Sequence, residues 1–225
     1  MFRRRKAATS DDASTDTHDG TSTDADTGTG TGTDGVEETH PRARGPWDAT
    51  EVDLEDADEN RVDLGSLLLT AREGVDIQLQ VDEESGEVAA ALLAAEDGAI
   101  ELRAFAAPRN GDIWDDVRRD LAGEVAQMGG TATQTTGAFG PQVSVSMNVL
   151  LPDGSSARQP STVLGITGPR WLLRATLFGR PAVEYDEEGV LEQALRDVVV
   201  VRGTGPVPPG DALPLTMPPT ARRMS

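Results

Sequence analysis

Between Val75 and Ala107 the sequence alternates, stops alternating and alternates again, a pattern that few folds accommodate. Val75, Ile77, Leu79 and Val81 are interleaved with Asp76, Gln78, Gln80 and Asp82, the two-residue period of a strand with one face buried. Glu83-Glu84-Ser85-Gly86 follows as a polar turn in which glycine can take a positive φ. Val88 to Ala95 is an unbroken apolar run of strand length, and Asp97-Gly98 suits a tight hairpin turn. Ile100, Leu102 and Ala104 then alternate with Glu101, Arg103 and Phe105. The stretch predicts a three-stranded antiparallel meander, which is scaffold and carries no chemistry.

Further elements are read on either side of it. Leu64, Leu67, Leu68 and Leu69 predict a short edge strand leading into the meander. Trp114, Val117, Leu121, Val125 and Met128 recur at steps of three and four, the apolar stripe of a helix opened by Asp112 as N-cap and closed by Gly129-Gly130. Asp115 and Arg119 stand four apart on it. Thr131 to Gly140 is weakly patterned. Val143, Val145, Met147 and Val149 predict a strand, Ser161 to Ile166 its return, and Trp171, Leu173, Ala175 and Leu177 one face of the next. A second helix is predicted from Asp186-Glu187-Glu188, with Leu191, Ala194, Leu195 and Val198 inward, and Val198 to Val201 as a short final strand. The expected fold is α+β: a mostly antiparallel sheet of about six to eight strands with two packed helices.

Charge divides the chain. Residues 10–60 hold sixteen Asp and Glu against two Arg, which places most of the formal net charge of −19 in the first quarter of the sequence. The expected organisation is a disordered Thr/Asp/Gly-rich leader over residues 1–45, an acidic linker over 46–60, one α+β domain over 61–204 and a proline-rich extended tail over 205–225. Trp47 is the residue through which the linker could dock. In the leader, Thr9, Thr21 and Thr31 each precede an Asp by three residues, a pattern acidophilic kinases accept. Its alternating glycines are not followed by Gly-Lys-Ser/Thr and make no phosphate loop. The basic start, Arg3-Arg4-Arg5-Lys6, lacks the apolar core of a signal peptide. The expected location is therefore the cytoplasm, with no membrane span.

Composition excludes much chemistry. There is no cysteine, and both histidines, His18 and His40, lie in the leader. Thiolate catalysis and cysteine metal sites are out, and the domain has no imidazole base. An acidic chain repels phosphate backbones, which disfavours nucleic acid as partner. Asp112, Asp115, Asp116 and Asp120 form a carboxylate group that could hold a divalent cation, but acids in a first helical turn are explained by the helix dipole. Arg118 and Arg119 interleave with them, as on a solvated face. Trp114, Trp171 and Tyr185 read as structural.

Four blocks of the sequence resemble a known family: Ile77 to Glu83, Phe105 to Arg109 running on to Trp114 to Arg118, Gly168 to Arg174, and Asp197 to Gly203. They are similar to the actinobacterial family called domain of unknown function 3710, over about Trp47 to Pro218. The resemblance implies a cytoplasmic bacterial protein with no assigned activity and contributes no functional residues.

The alternation itself supplies the one candidate surface. It puts Gln78, Gln80, Glu101, Arg103, Arg174 and Thr176 on the sheet face opposite Ile77, Leu79, Ile100, Leu102, Leu173 and Leu177, with Phe105, Leu172 and Phe178 among the polar groups. Arg103, Arg174, Gln78 and Gln80 are the candidate binding residues; no catalytic residue, metal ligand or cofactor is assigned. The expected function is a non-enzymatic binding or adaptor domain for a protein or small molecule. The alternative is a histidine-free enzyme using carboxylates, with or without Mg²⁺.

Overall fold

The computed structural model describes residues 42–54, 60–150 and 153–219. Expectations for residues 1–41, the Thr-Asp pattern and basic start included, lie outside the described residues.

The meander forms as predicted from its alternation. Strands β4 (Asp76–Val81), β5 (Val88–Ala95) and β6 (Gly98–Ala106) pair antiparallel, with a register shift between Gln80 and Val81. They form one end of a seven-stranded sheet. The remaining strands are β7 (Thr131–Gly137), β8 (Gly140–Leu150), β9 (Ser156–Gly168) and β10 (Trp171–Gly179), in the order β4-β5-β6-β10-β9-β8-β7. Every pairing in this sheet is antiparallel. The weakly patterned Thr131 to Gly140 supplies β7, an edge strand whose threonines are exposed. With one sheet face wet and no apolar run, period gave no signal there; β-branched threonine suits an edge.

A second sheet was not expected. Strands β1 (Trp47–Asp48), β2 (Arg61–Asp63), β3 (Leu67–Thr70) and β11 (Val199–Val200) form it in the order β1-β11-β3-β2, with β1 parallel to β11. The leucine segment read as an edge strand leading into the meander is thus an interior strand of a different sheet. Leu67, Leu68 and Leu69 are all buried, and three consecutive leucines carry no period from which to assign a neighbour. Trp47 enters the domain through this sheet, with its N–H donating to the Val198 carbonyl at 2.8 Å.

The first helix, α1 (Trp114–Gln127), starts later than predicted. Ile113 is the N-cap, while Asp112 Oδ1 accepts the Trp114 N–H at 2.8 Å and the Thr167 hydroxyl at 3.0 Å. Met128, expected in the apolar stripe, is 65 % exposed because the helix has ended before it. Gly129 follows with φ +77, a conformation open to glycine. Arg118 and Arg119 pair with Asp115 and Asp116 three residues earlier; the expected four-residue pair of Asp115 with Arg119 does not form. A one-turn helix, α2 (Arg180–Val183), was missed, and the last helix, α3 (Val190–Arg196), begins four residues after Asp186. The acids before it form a turn instead, with Gly189 N–H donating to the Asp186 carbonyl.

The main core lies on the sheet face bearing Ile100, Leu102, Leu164, Leu173 and Leu177, and takes in Leu191 and Leu195 of α3 and Leu67 and Leu69 of β3. The proline-rich segment after residue 204 is extended, but it is laid on the domain. Leu213 is buried, its N–H donates to the Ala104 carbonyl, and Ala212 and Leu215 bridge to Phe105 and Val88. It fills the gap between β6 and the first residues of β5, where those two strands are not paired. Among the described residues no helix is long and apolar enough to cross a membrane.

Candidate functional site

The register brings the opposite sheet face into rows. Gln78, Leu92, Glu101, Thr176, Val163, Val143 and Gln134 succeed one another across all seven strands. In the adjacent row Arg103 stands directly opposite Arg174, which stands opposite Gly165. Gln80 lies on β4 opposite Ala90. All four candidate binding residues thus share one face, Arg103 and Arg174 as neighbours, Gln78 and Gln80 at the far edge beyond β5.

Helix α1 divides this face. It lies over β7, β8 and β9, where Trp114, Val125, Val143, Val145, Val163 and Leu172 make a second, smaller core. Gly165 makes the close approach possible: a Cβ there would overlap the Trp114 ring. The indole N–H donates to the Pro141 carbonyl at 2.6 Å. Two residues expected among the polar groups belong to this helix-covered half. Leu172 is fully buried, and Phe105 packs against the helix cluster. The other half, over β4, β5, β6 and β10, carries Gln78, Gln80, Leu92, Ala94, Glu101, Arg103, Arg174, Thr176 and Phe178, all half-buried except the exposed Gln80. Leu92 and Ala94 were missed because β5 is apolar throughout and cannot be assigned faces without its partners.

The two arginines are in different states. Arg103 Nε donates to Glu101 Oε1 at 3.0 Å, two residues away on the same strand. Arg174 lies with its guanidinium carbon 5.4 Å from the Phe105 ring centre, a cation–π distance. Among the described residues it has no hydrogen-bond acceptor and no ion pair. Burial pulls the Arg174 pKa below its ordinary value, Arg103 adds to the fall, and Glu101 and Glu124 oppose it.

Two clefts open elsewhere. One of about 250 Å³ is lined by Trp47, Val52, Arg61, Thr70, Asp197 and Val199; its single acid is ion-paired to Arg72. The other, about 240 Å³, lies between β9, β10 and α2 beside Thr162, Leu177, Pro181 and Tyr185, and no acid lines it. Neither brings two carboxylates together. The Asp112 group is spread out: Asp112 meets Thr167, Asp115 and Asp116 meet arginines, and Asp120 is exposed.

Fold and face together define an α+β domain built on one long antiparallel sheet, with a helix on half of one face. The chain belongs to the family described as Protein of unknown function (DUF3710), which matches it over residues 45–224. No curated protein is significantly similar to it in sequence. Among solved structures it is similar to the cyanobacterial PsbP (CyanoP) of Synechocystis sp. PCC 6803, known from a solution structure. That match has 12 % identity, covers 62 % of this chain and 91 % of the other, and has a TM-score of 0.34, a likeness too loose to bear on function.

Proposed function

We propose that the chain is a non-enzymatic binding or adaptor domain of the cytoplasm that meets its partner through the uncovered half of the sheet, over β4, β5, β6 and β10. The observation that carries this reading is the division of the face by α1. One half is sealed with a helix and an apolar cluster, while the other presents amides, a hydroxyl and two arginines around Leu92 and Phe178. A half-face intended only for water has no need of partly buried apolar groups between its polar ones; such a mixture is the composition of recognition surfaces. The enzymatic alternative draws no support from the clefts, since acid–base chemistry on carboxylates needs two of them converging.

The test is photo-cross-linking in cells that express the full chain, with a photoreactive residue at Gln80 or, as control, at Asp116 on the outer side of α1. The expected result is one discrete adduct from Gln80 and none from Asp116, lost in an Arg103→Ala/Arg174→Ala variant that melts as the parent does. Equal labelling at both positions, or none at Gln80, rejects this face.

A further inference from the structure

We propose that Arg103 and Arg174 together receive a carboxylate side chain of an acidic polypeptide laid across β4, β5, β6 and β10; this rests on the binding-face reading above and names what the face takes. Like charges directly opposite one another on an antiparallel pair repel and weaken the pairing. Arg103 and Arg174 are such a pair. Only Arg103 is bonded to a carboxylate, Glu101, which accepts a single bond from it.

Three other half-buried arginines do not look like Arg174, while Arg61, whose buried Nε and Nη1 have no partner among the described residues, stands opposite Thr70 rather than a second arginine. Arg72 donates to Asp197 and Gln193, Arg180 to Asp97, Glu192 and the Glu184 carbonyl, and Arg202 to the carbonyls of Arg170, Gly205 and Val207. Arg174 donates to none of the described residues, although its environment has already removed part of its water. A partly desolvated guanidinium with five donors and no protein acceptor is one that an oxyanion suits well, since bonds to charged groups are the stronger kind. Its position is also bounded. Phe105 lies under the guanidinium at 5.4 Å, and the Trp114 ring over Gly165 closes the row on the other side.

A carboxylate suits the site better than a phosphate. Glu101 and Glu124 already act on Arg174, so a monoanion completes the charge balance where a dianion would meet their repulsion. The planar fork of two oxygens also matches guanidinium geometry. A polypeptide suits it better than a free acid, because the pair lies on an open sheet face and lines neither of the two clefts described. A row of amide, apolar, carboxylate and hydroxyl groups runs from Gln78 through Leu92 and Glu101 to Thr176, with the Glu101 charge engaged by Arg103. At about 4.8 Å per strand, that row spans roughly 14 Å, the length of four extended residues.

The experiment follows the Nε–Hε resonances of Arg103 and Arg174 by NMR in the full chain, with sodium acetate, sodium phosphate or N-acetyl-pentaglutamate added against sodium chloride at matched ionic strength. Arg119 serves as the exposed control and Arg118 as an ion-paired one. The expected result is a saturable shift of Arg174 with acetate that chloride does not produce, and at least tenfold tighter saturation with the pentaglutamate. Arg103→Gln should abolish both; if that variant fails to fold, Arg103→Met takes its place. No saturable shift with any anion overturns the receptor while leaving the Gln80 cross-link to decide the face itself. A tighter response to phosphate overturns the carboxylate assignment, and equal affinity for acetate and pentaglutamate overturns the polypeptide.

Discussion

Arg174 lies in the middle of β10 and Arg180 opens α2 just after it, and their surroundings differ in kind. Arg180 faces the fully buried Glu192 through two bonds of 2.9 Å, adds Asp97 and the Glu184 carbonyl, and its pKa is raised by Glu192 and Asp97. Arg174 has an aromatic ring beneath it and a second arginine opposite, and its pKa is lowered by burial. The first arrangement ties α2, α3 and the β5–β6 turn into one corner. The second ties nothing together. Of these two, the satisfied arginine marks structure, and the one without an acceptor is the one proposed to receive a ligand.

The comparison can be broken most directly at Glu192. Glu192→Ala leaves the Arg180 guanidinium without its buried partner and should cost roughly 3 kcal/mol in urea unfolding, the low end of the range because Arg180 itself is 29 % exposed. A loss under about 1 kcal/mol would mean that the corner is not held by this pair.

A second satisfied polar group sharpens it. Trp171 is fully buried, and its indole N–H donates at 2.7 Å to Asp48 Oδ2, itself 5 % exposed. Trp171→Phe keeps most of the packing and removes that bond, so about 1–3 kcal/mol should be lost, read as a lower melting temperature.

Arg174→Met should go the other way. The variant keeps the apolar stem over Phe105, loses no acceptor, and relieves the repulsion with Arg103. In buffer free of carboxylates a gain of up to about 1 kcal/mol is expected. A loss larger than that would place Arg174 with Arg180 among the structural arginines.

The smallest effect belongs to Tyr185, whose hydroxyl is buried without a partner beside the arginine-stacked Phe139. Tyr185→Phe should change stability at pH 7 by less than about 0.5 kcal/mol. Burial raises this hydroxyl above its ordinary 10.0, with Arg196 opposing. A raised folded pKa contributes stability that is complete below about pH 10 and is lost as pH climbs through the folded value. An alkaline melting series should therefore fall less steeply for the phenylalanine variant than for the parent.

Legibility followed the period of the side chains. Where apolar and polar residues alternated, as in β4, β6 and β10, the strands and their faces could be read directly. Leu67 to Leu69 have no alternation, so their sheet could not be told; Val88 to Ala95 was placed in the meander by the turns around it, but its faces could not be read. Thr131 to Gly137 lacks an apolar face because it is an edge, and Asp186 to Glu188 carries the acids of a helix start while forming the turn before one. The docked segment around Leu213 reads as a tail because proline-rich sequence looks the same whether it hangs free or fills a gap in a sheet.

For the candidate site the division is sharper. Because side chains in a strand repeat every two residues, the sequence alone determined that Gln78, Gln80, Arg103 and Arg174 share a face with one another and not with Ile77, Leu102 or Leu173. Only the tertiary structure decided that Arg103 stands opposite Arg174, since register is set by pairing between strands far apart in the chain. It decided too which half of the face α1 seals, through the fit of the Trp114 ring onto Gly165, a contact that neither residue's own neighbourhood announces.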